Sequence, residues 1–147
     1  MSSGEDNTYG GNMITSTNKE KGRVGLSLGI AYFGANGYTV SVPLNDTQYY
    51  DFIVEKNGIF QTVQCKFTCS EKNVIDLRST GGTNGAVYDN VLNHALDLLF
   101  CADGNLNMYV IPLQELRDKG SINSISLRTS PNPNKQGFET YQYLVKI

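Results

Sequence analysis

From about residue 19 to 35, Val24, Leu28, Ala31 and Tyr32 recur at helical spacing, with Thr17 or Asn18 placed to cap, which predicts an N-terminal helix. Gly22, Gly25 and Gly29 weaken that helix intrinsically, so their presence predicts tight packing on a sheet. The run Gly34 to Gly37 ends it, Tyr38 to Val42 alternates as a first strand, and Pro43 stops that strand before a loop at residues 44–48. Two apolar runs follow, joined by Asn57-Gly58. Asn-Gly is the preferred centre of a two-residue type I′ hairpin, because both positions tolerate positive φ. Residues 68–84 are polar and predict a loop, residues 86–93 a short helix, and Leu96–Cys101 with Leu106–Ile111 a second ribbon. Pro112 opens a short helix, Leu113–Asp118, and Ile122–Leu127 and Phe138–Val145 alternate as two further strands. Helix, three strands, then a further strand and helix describes an α/β or α+β sandwich.

The Asn57-Gly58 turn fixes a register. Lys56 faces Ile59, Val54 faces Gln61, Phe52 faces Val63, and Asp51 falls opposite Gln64, with Lys66 two residues along. Cross-strand partners on one face have Cβ atoms about 5 Å apart and diagonal neighbours about 7 to 8 Å apart. Tyr50, Phe52, Val54, Val63 and Cys65 are assigned to the opposite, apolar face. A carboxylate, an amide oxygen and an ammonium side by side suggest a hard-cation site, with Asp51 and Gln64 as oxygen ligands and Lys66 beside a reacting water or phosphate. The plainer alternative is an exposed strand face with a Lys-Asp pair and a spectator glutamine.

Composition narrows the classes. The chain has 147 residues and 39% hydrophobic content, which suits one domain over residues 19–147 behind a polar leader at residues 1–18. No run approaches a membrane span, and an odd number of cysteines, Cys65, Cys69 and Cys101, suggests reduced thiols in a cytoplasm. A net charge of -2 gives no global attraction to nucleic acid. Basic residues nonetheless gather around the trio: Lys19, Lys21 and Arg23 before it, Lys72 and Arg78 after it. Arg78, Ser79, Thr80, Thr83 and Asn84 are placed to reach phosphates or base edges from a loop. That loop is glycine-rich but lacks the lysine and following helix of a phosphate cradle. Cys65, Cys69, His94 and Cys101 have zinc-compatible types at awkward spacing, and no nucleophile elbow accompanies His94, the only histidine. Tyr88 and Asp97 are read as scaffold.

An ordered set of motifs adds a resemblance. Lys21-Gly-Arg-Val-Gly25, Gly37-Tyr-Thr-Val-Ser-Val-Pro43, Tyr50-Asp-Phe-Ile-Val54, Val63-Gln-Cys-Lys66 and Tyr109-Val-Ile-Pro-Leu113 resemble the PD-(D/E)xK nuclease superfamily. The branch is the one that includes group I intron-associated homing endonucleases, with Holliday junction resolvases as relatives. The resemblance implies a restriction-endonuclease-like α/β core, a central mixed sheet flanked by helices, with extra C-terminal strands here. It implies Asp51, Gln64 and Lys66 as catalytic residues, Gln64 replacing the usual glutamate. It further implies Mg²⁺ or Mn²⁺ held by Asp51, Gln64 and the Cys65 backbone carbonyl. The expected partner is double-stranded or branched DNA, contacted by Lys21, Arg23, Lys72, Arg78, Ser79, Thr80 and Asn84. A homodimer or homotetramer is expected, since a duplex has two strands to cut, with Ile14, Tyr141, Tyr143 and the C-terminal strand as interface candidates. One departure stands out. Leu26 occupies the position of the family's helix glutamate, and Glu20 is the only helical carboxylate nearby.

Overall fold

The computed structural model describes residues 17–81, 87–134 and 137–147. Helix α1, Asn18–Ala35, opens on a reciprocal capping box in which Thr17 Oγ1 accepts from the Glu20 amide and Glu20 Oε1 accepts from the Thr17 amide. Strands β1, Thr39–Ser41, β2, Phe52–Lys56, and β3, Ile59–Thr68, follow. Asn57 and Gly58 both take positive φ, 55° and 80°, and the pairs Lys56↔Ile59, Val54↔Gln61 and Phe52↔Val63 form as the turn chemistry predicts.

The segment from 68 to 93 departs from its sequence reading. It holds β4, Val74–Asp76, β5, Arg78–Gly81, and β6, Val87–Asn90, ending in a 3-10 turn at Val91–Asn93. The expected loop is therefore partly strand, and the expected helix is a strand followed by that turn. Strands β5 and β6 pair with one another, while β4 pairs antiparallel with the distant β9, Ser124–Ser126. Strands β7, Leu98–Asp103, and β8, Met108–Pro112, form the second ribbon, and Pro112 caps α2, Leu113–Asp118. The expected long C-terminal strand reduces to a 3-10 turn at Tyr141–Tyr143 and a two-residue β10, Leu144–Val145. Tertiary packing, not alternation, decides there, because Thr140 is fully buried and donates its hydroxyl to the Ser126 carbonyl.

The central sheet is mixed, in the order β1-β2-β3-β7-β8-β10, with β3 and β7 parallel and the other neighbours antiparallel. Strand β7 is buried throughout and its side chains alternate between two cores. Leu98, Phe100 and Ala102 join Phe33, Phe52, Val54 and Val63 beneath α1, whereas Leu99 and Cys101 join Tyr109, Ile111, Leu113 and Leu116 beneath α2 and the β4-β9 pair. At about 25 cal/mol per Å² of apolar surface, these cores supply the main drive to fold. Helix α1 approaches the sheet through two of its glycines. A Cβ on Gly25 would sit 3.2 Å from Phe67 Cβ, and one on Gly29 2.9 Å from Cys65 Sγ. Gly22 has nothing within 4 Å, so the expected close approach does not extend to it. No helix among the described residues is long and apolar enough to cross a membrane.

Candidate functional site

Asp51 immediately precedes β2, and its amide donates at 2.8 Å to the carbonyl of Val63, the residue already paired with Phe52, so Asp51 enters as an extra residue at the strand start and does not stand directly opposite Gln64 as the turn register predicts. Its carboxylate turns back on β3, where Oδ2 accepts from the Cys65 amide at 2.7 Å. That contact anchors one oxygen and leaves Oδ1 for another partner. Burial pushes the Asp51 carboxyl above its ordinary value, while the Cys65 amide and the Lys66 charge pull it part of the way back. The carboxylate is thus underserved by the protein around it.

Asp51, Gln64 and Lys66 line one cleft of about 220 Å³. The pleat explains this: Val63 and Cys65 pack in the core beneath α1, so Gln64 and Lys66 project to the other side of the sheet. Tyr50 is an exception to the expected alternation. It lies before the strand begins and packs against the core on the α2 side, whereas Phe52 belongs to the core beneath α1. Among the described residues neither the Gln64 amide nor the Lys66 ammonium has a side-chain hydrogen bond or ion pair. The Cys65 thiol is pushed well up by burial, and it serves as packing against α1.

The cleft continues beyond the predicted trio. Tyr49, Asp89, Asn90 and His94 line it as well. The Tyr49 ring stacks on His94 with centroids 3.5 Å apart and planes at 17°, and His94 Nε2 lies 2.6 Å from Asp89 Oδ2. The His94 side-chain hydrogen bond holds Asp89 below the usual carboxylate range. Sequence reasoning weighed His94 only for zinc and triad chemistry and passed over Tyr49 and Asp89. Tyr49 stands two positions before Asp51 in a loop, and that proximity was the available signal.

The basic residues divide. Lys21 and Lys66 border a second hollow of about 290 Å³ with Gly22, Gly25 and Phe67. Arg23 is exposed on the same helix and Lys72 is exposed in the turn after β3. Arg78 is engaged with Asp76, its Nε 3.1 Å from Oδ1, and this pairing holds the Asp76 carboxyl low. The backbone of Ser79 and Thr80 lies in β5, and Asn84, Thr83 and Ile14 fall outside the described residues.

Neither helical candidate adds a carboxylate. Leu26 packs against the core beneath α1, and the side chain of Glu20 is occupied by the capping box. Glu20 as a substitute ligand is therefore corrected: its Oε1 satisfies an orphan amide of the helix start. Among the described residues no group of three His, Cys, Asp or Glu side chains could hold a metal, which also removes the zinc alternative for Cys65, Cys69, His94 and Cys101. Asp97, read as scaffold, accepts from the Thr62 amide at 2.8 Å and does bridge strands.

A family model described as PD-(D/E)XK endonuclease matches residues 16–143. Among solved structures, the chain is similar to one titled "The structure of a bacterial homing endonuclease: I-Ssp6803I", with a TM-score of 0.68 and 22% identity, covering 88% of this chain and 89% of that one. That likeness establishes a shared fold. No curated protein sequence matches the chain significantly.

Proposed function

The chain belongs to the PD-(D/E)XK endonuclease family, and on that premise we propose that it hydrolyses DNA phosphodiester bonds with Asp51, Gln64 and Lys66 as its working groups. The observation that carries this reading is the single cleft that these three residues line, with Asp51 held in place by the Cys65 amide. A carboxylate, an amide and a backbone carbonyl form an all-oxygen donor set, which suits a hard cation. The raised Asp51 pKa fits the same conclusion, because burial strips its charge of water and a bound cation would offset that cost. Asp51, Gln64 and the Cys65 carbonyl would hold Mg²⁺ or Mn²⁺, which when bound supplies neutralisation of the charge that builds on the phosphate.

Lys66 would orient the attacking water and stabilise its deprotonated form. As water oxygen bonds to phosphorus the bond to the leaving sugar oxygen breaks, and that oxygen takes a proton from solvent. Lys21 is placed to meet the neighbouring phosphate, and Arg23, Lys72, Arg78, Ser79, Thr80 and Asn84 are proposed to line the rest of the DNA path. A duplex needs two cuts and the described residues form one such cleft, so a homodimer or homotetramer is proposed. The thiols of Cys65 and Cys101, neither in a disulfide, suit a reducing cytoplasm. Residues 19–147 are proposed to act as one nuclease domain.

Mg²⁺ and Mn²⁺ titrations of cleavage on plasmid, linear and branched DNA test the reading. Cleavage should fall at least about 100-fold in Lys66→Ala and in Asp51→Asn. Equal cutting by either variant and the parent would refute the assignment.

A second reading has its own observation. Leu26 in the core and Glu20 in the capping box leave Asp51 as the one carboxylate of the predicted ligand set, which favours a nuclease fold that binds DNA or protein without cutting. Binding of DNA with no cleavage of any of these substrates would select it.

A further inference from the structure

The cleft has an aromatic lip with no part in the hydrolysis just described. Tyr49 is 60% exposed, so only one of its faces is covered, and the cover is the parallel imidazole of His94. That imidazole is itself fixed. Its Nε2 sits 2.6 Å from Asp89 Oδ2, and Arg117 grips the main chain on both sides, donating to the carbonyls of Leu92 at 3.2 Å, His94 at 2.6 Å and Leu96 at 3.1 Å.

Isolated exposed aromatics are ordinary on protein surfaces and ask for no explanation. Tyr49 differs because two further side chains, Asp89 and Arg117, stiffen its backing, and because it lines the same cleft as Asp51 and Lys66. A stiff ring with one open face, next to groups that suit a phosphate, is complementary to a nucleobase on the same strand. Every base offers a π-face, and stacking on an aromatic side chain is the usual sequence-tolerant means of holding one. In an intact duplex those faces are covered by neighbouring bases. Val42 and Leu44, 54% and 104% exposed in the same loop, add apolar surface of the kind that wedges between base steps.

We propose that Tyr49, backed by His94, is a stacking platform for an unpaired base next to the bound phosphate, so that the cleft selects branched, forked or locally unstacked DNA over uninterrupted duplex. This rests on the nuclease reading of the cleft and adds the class of substrate.

The test uses the full chain and a DNA fork carrying 2-aminopurine as its first unpaired base, with Ca²⁺ as the divalent ion, so that binding is read apart from cleavage. The chain has no tryptophan, so the probe's emission is read directly. Binding should quench the probe in the fork and leave a paired control unchanged. Tyr49→Ala should abolish the quench and weaken fork binding roughly 5- to 150-fold, while Tyr49→Phe retains both. Undiminished quench and affinity in Tyr49→Ala, or equal parental affinity for fork and duplex, overturns the proposal. Quenching by a protein that cuts nothing in Mg²⁺ supports the platform and removes the hydrolase reading, whereas binding to neither DNA overturns both.

Discussion

Alanine at Gly22 and at Gly29 should move stability in opposite directions, although the two residues share one helix and the substitution is the same. Glycine in a helix interior costs about 1 kcal/mol relative to alanine. At Gly22 nothing lies within 4 Å of the new methyl, so most of that gain, about 0.5 to 1 kcal/mol, should appear as stability. For a chain of this length each kcal/mol moves Tm by roughly 2 to 4 °C, giving a rise of about 1 to 4 °C. At Gly29 the methyl would meet Cys65 Sγ at 2.9 Å, Phe52 Cζ at 3.1 Å and Phe100 Cδ2 at 3.3 Å. Both phenylalanines are fully buried, and the cysteine side chain is too short to swing clear. Overpacking of this kind costs about 1 to 3 kcal/mol, which outweighs the helix gain and leaves a net loss of about 0 to 2 kcal/mol. The displaced residue is also the one whose amide anchors Asp51 at 2.7 Å, so Gly29→Ala should raise the Mg²⁺ concentration needed for half-maximal cleavage while Gly22→Ala leaves it unchanged. Urea denaturation followed by circular dichroism measures the stabilities. If Gly29→Ala proves as stable as Gly22→Ala, the packing of α1 described above is wrong.

Three further outcomes follow from the site. Asp51→Asn should stabilise the metal-free protein at neutral pH, because the amide keeps an acceptor for the Cys65 amide and carries no buried charge. The sign is set by the raised pKa: the folded state holds this proton more tightly than the unfolded chain, so parental stability falls as pH rises from the ordinary value of 3.8 through the raised one. Urea midpoints from acid to neutral pH should therefore separate the two proteins at the neutral end and converge at the acid end; a constant gap would refute this. Lys66→Arg should retain DNA binding and lose cleavage, since guanidinium keeps the charge but has a different shape and does not deprotonate, and gel-shift and plasmid-nicking assays distinguish the two. Arg117→Lys should cost about 1 to 3 kcal/mol in a thermal melt, because the three donors of an ammonium sit on one nitrogen and cannot span carbonyls that the guanidinium reaches from two separate nitrogens.

Local chemistry made half of the site legible. The Asn57-Gly58 turn sets strand register by itself, and a period of two then carries Gln64 and Lys66 to one side of the sheet, while Asp51, one residue beyond the last register pair, joins them through its bond to the Cys65 amide. Helix α2 was equally plain, as Pro112 pre-sets its first turn. The rest depends on long-range pairing. Strand β4 exists because Val74, Ile75 and Asp76 meet Ser126, Ile125 and Ser124 some fifty positions later, and a Val-Ile pair this short within a polar stretch does not announce that partner. The same holds for the far wall of the cleft. Asp89 and His94 come to Tyr49 only after β3 pairs in parallel with β7 and Arg117 draws residues 92–96 inward. Tyr50 misled for a different reason, since alternation was extended one step beyond where the strand starts.

The two margins of the central sheet are β1 and β10, of three and two residues, with Pro43 close behind the first. So few unpaired amides and carbonyls at these two margins give an incoming strand almost nothing there to template on. The hairpin tip, where Ile59 and Phe60 stand 67% and 69% exposed, is instead open apolar ground.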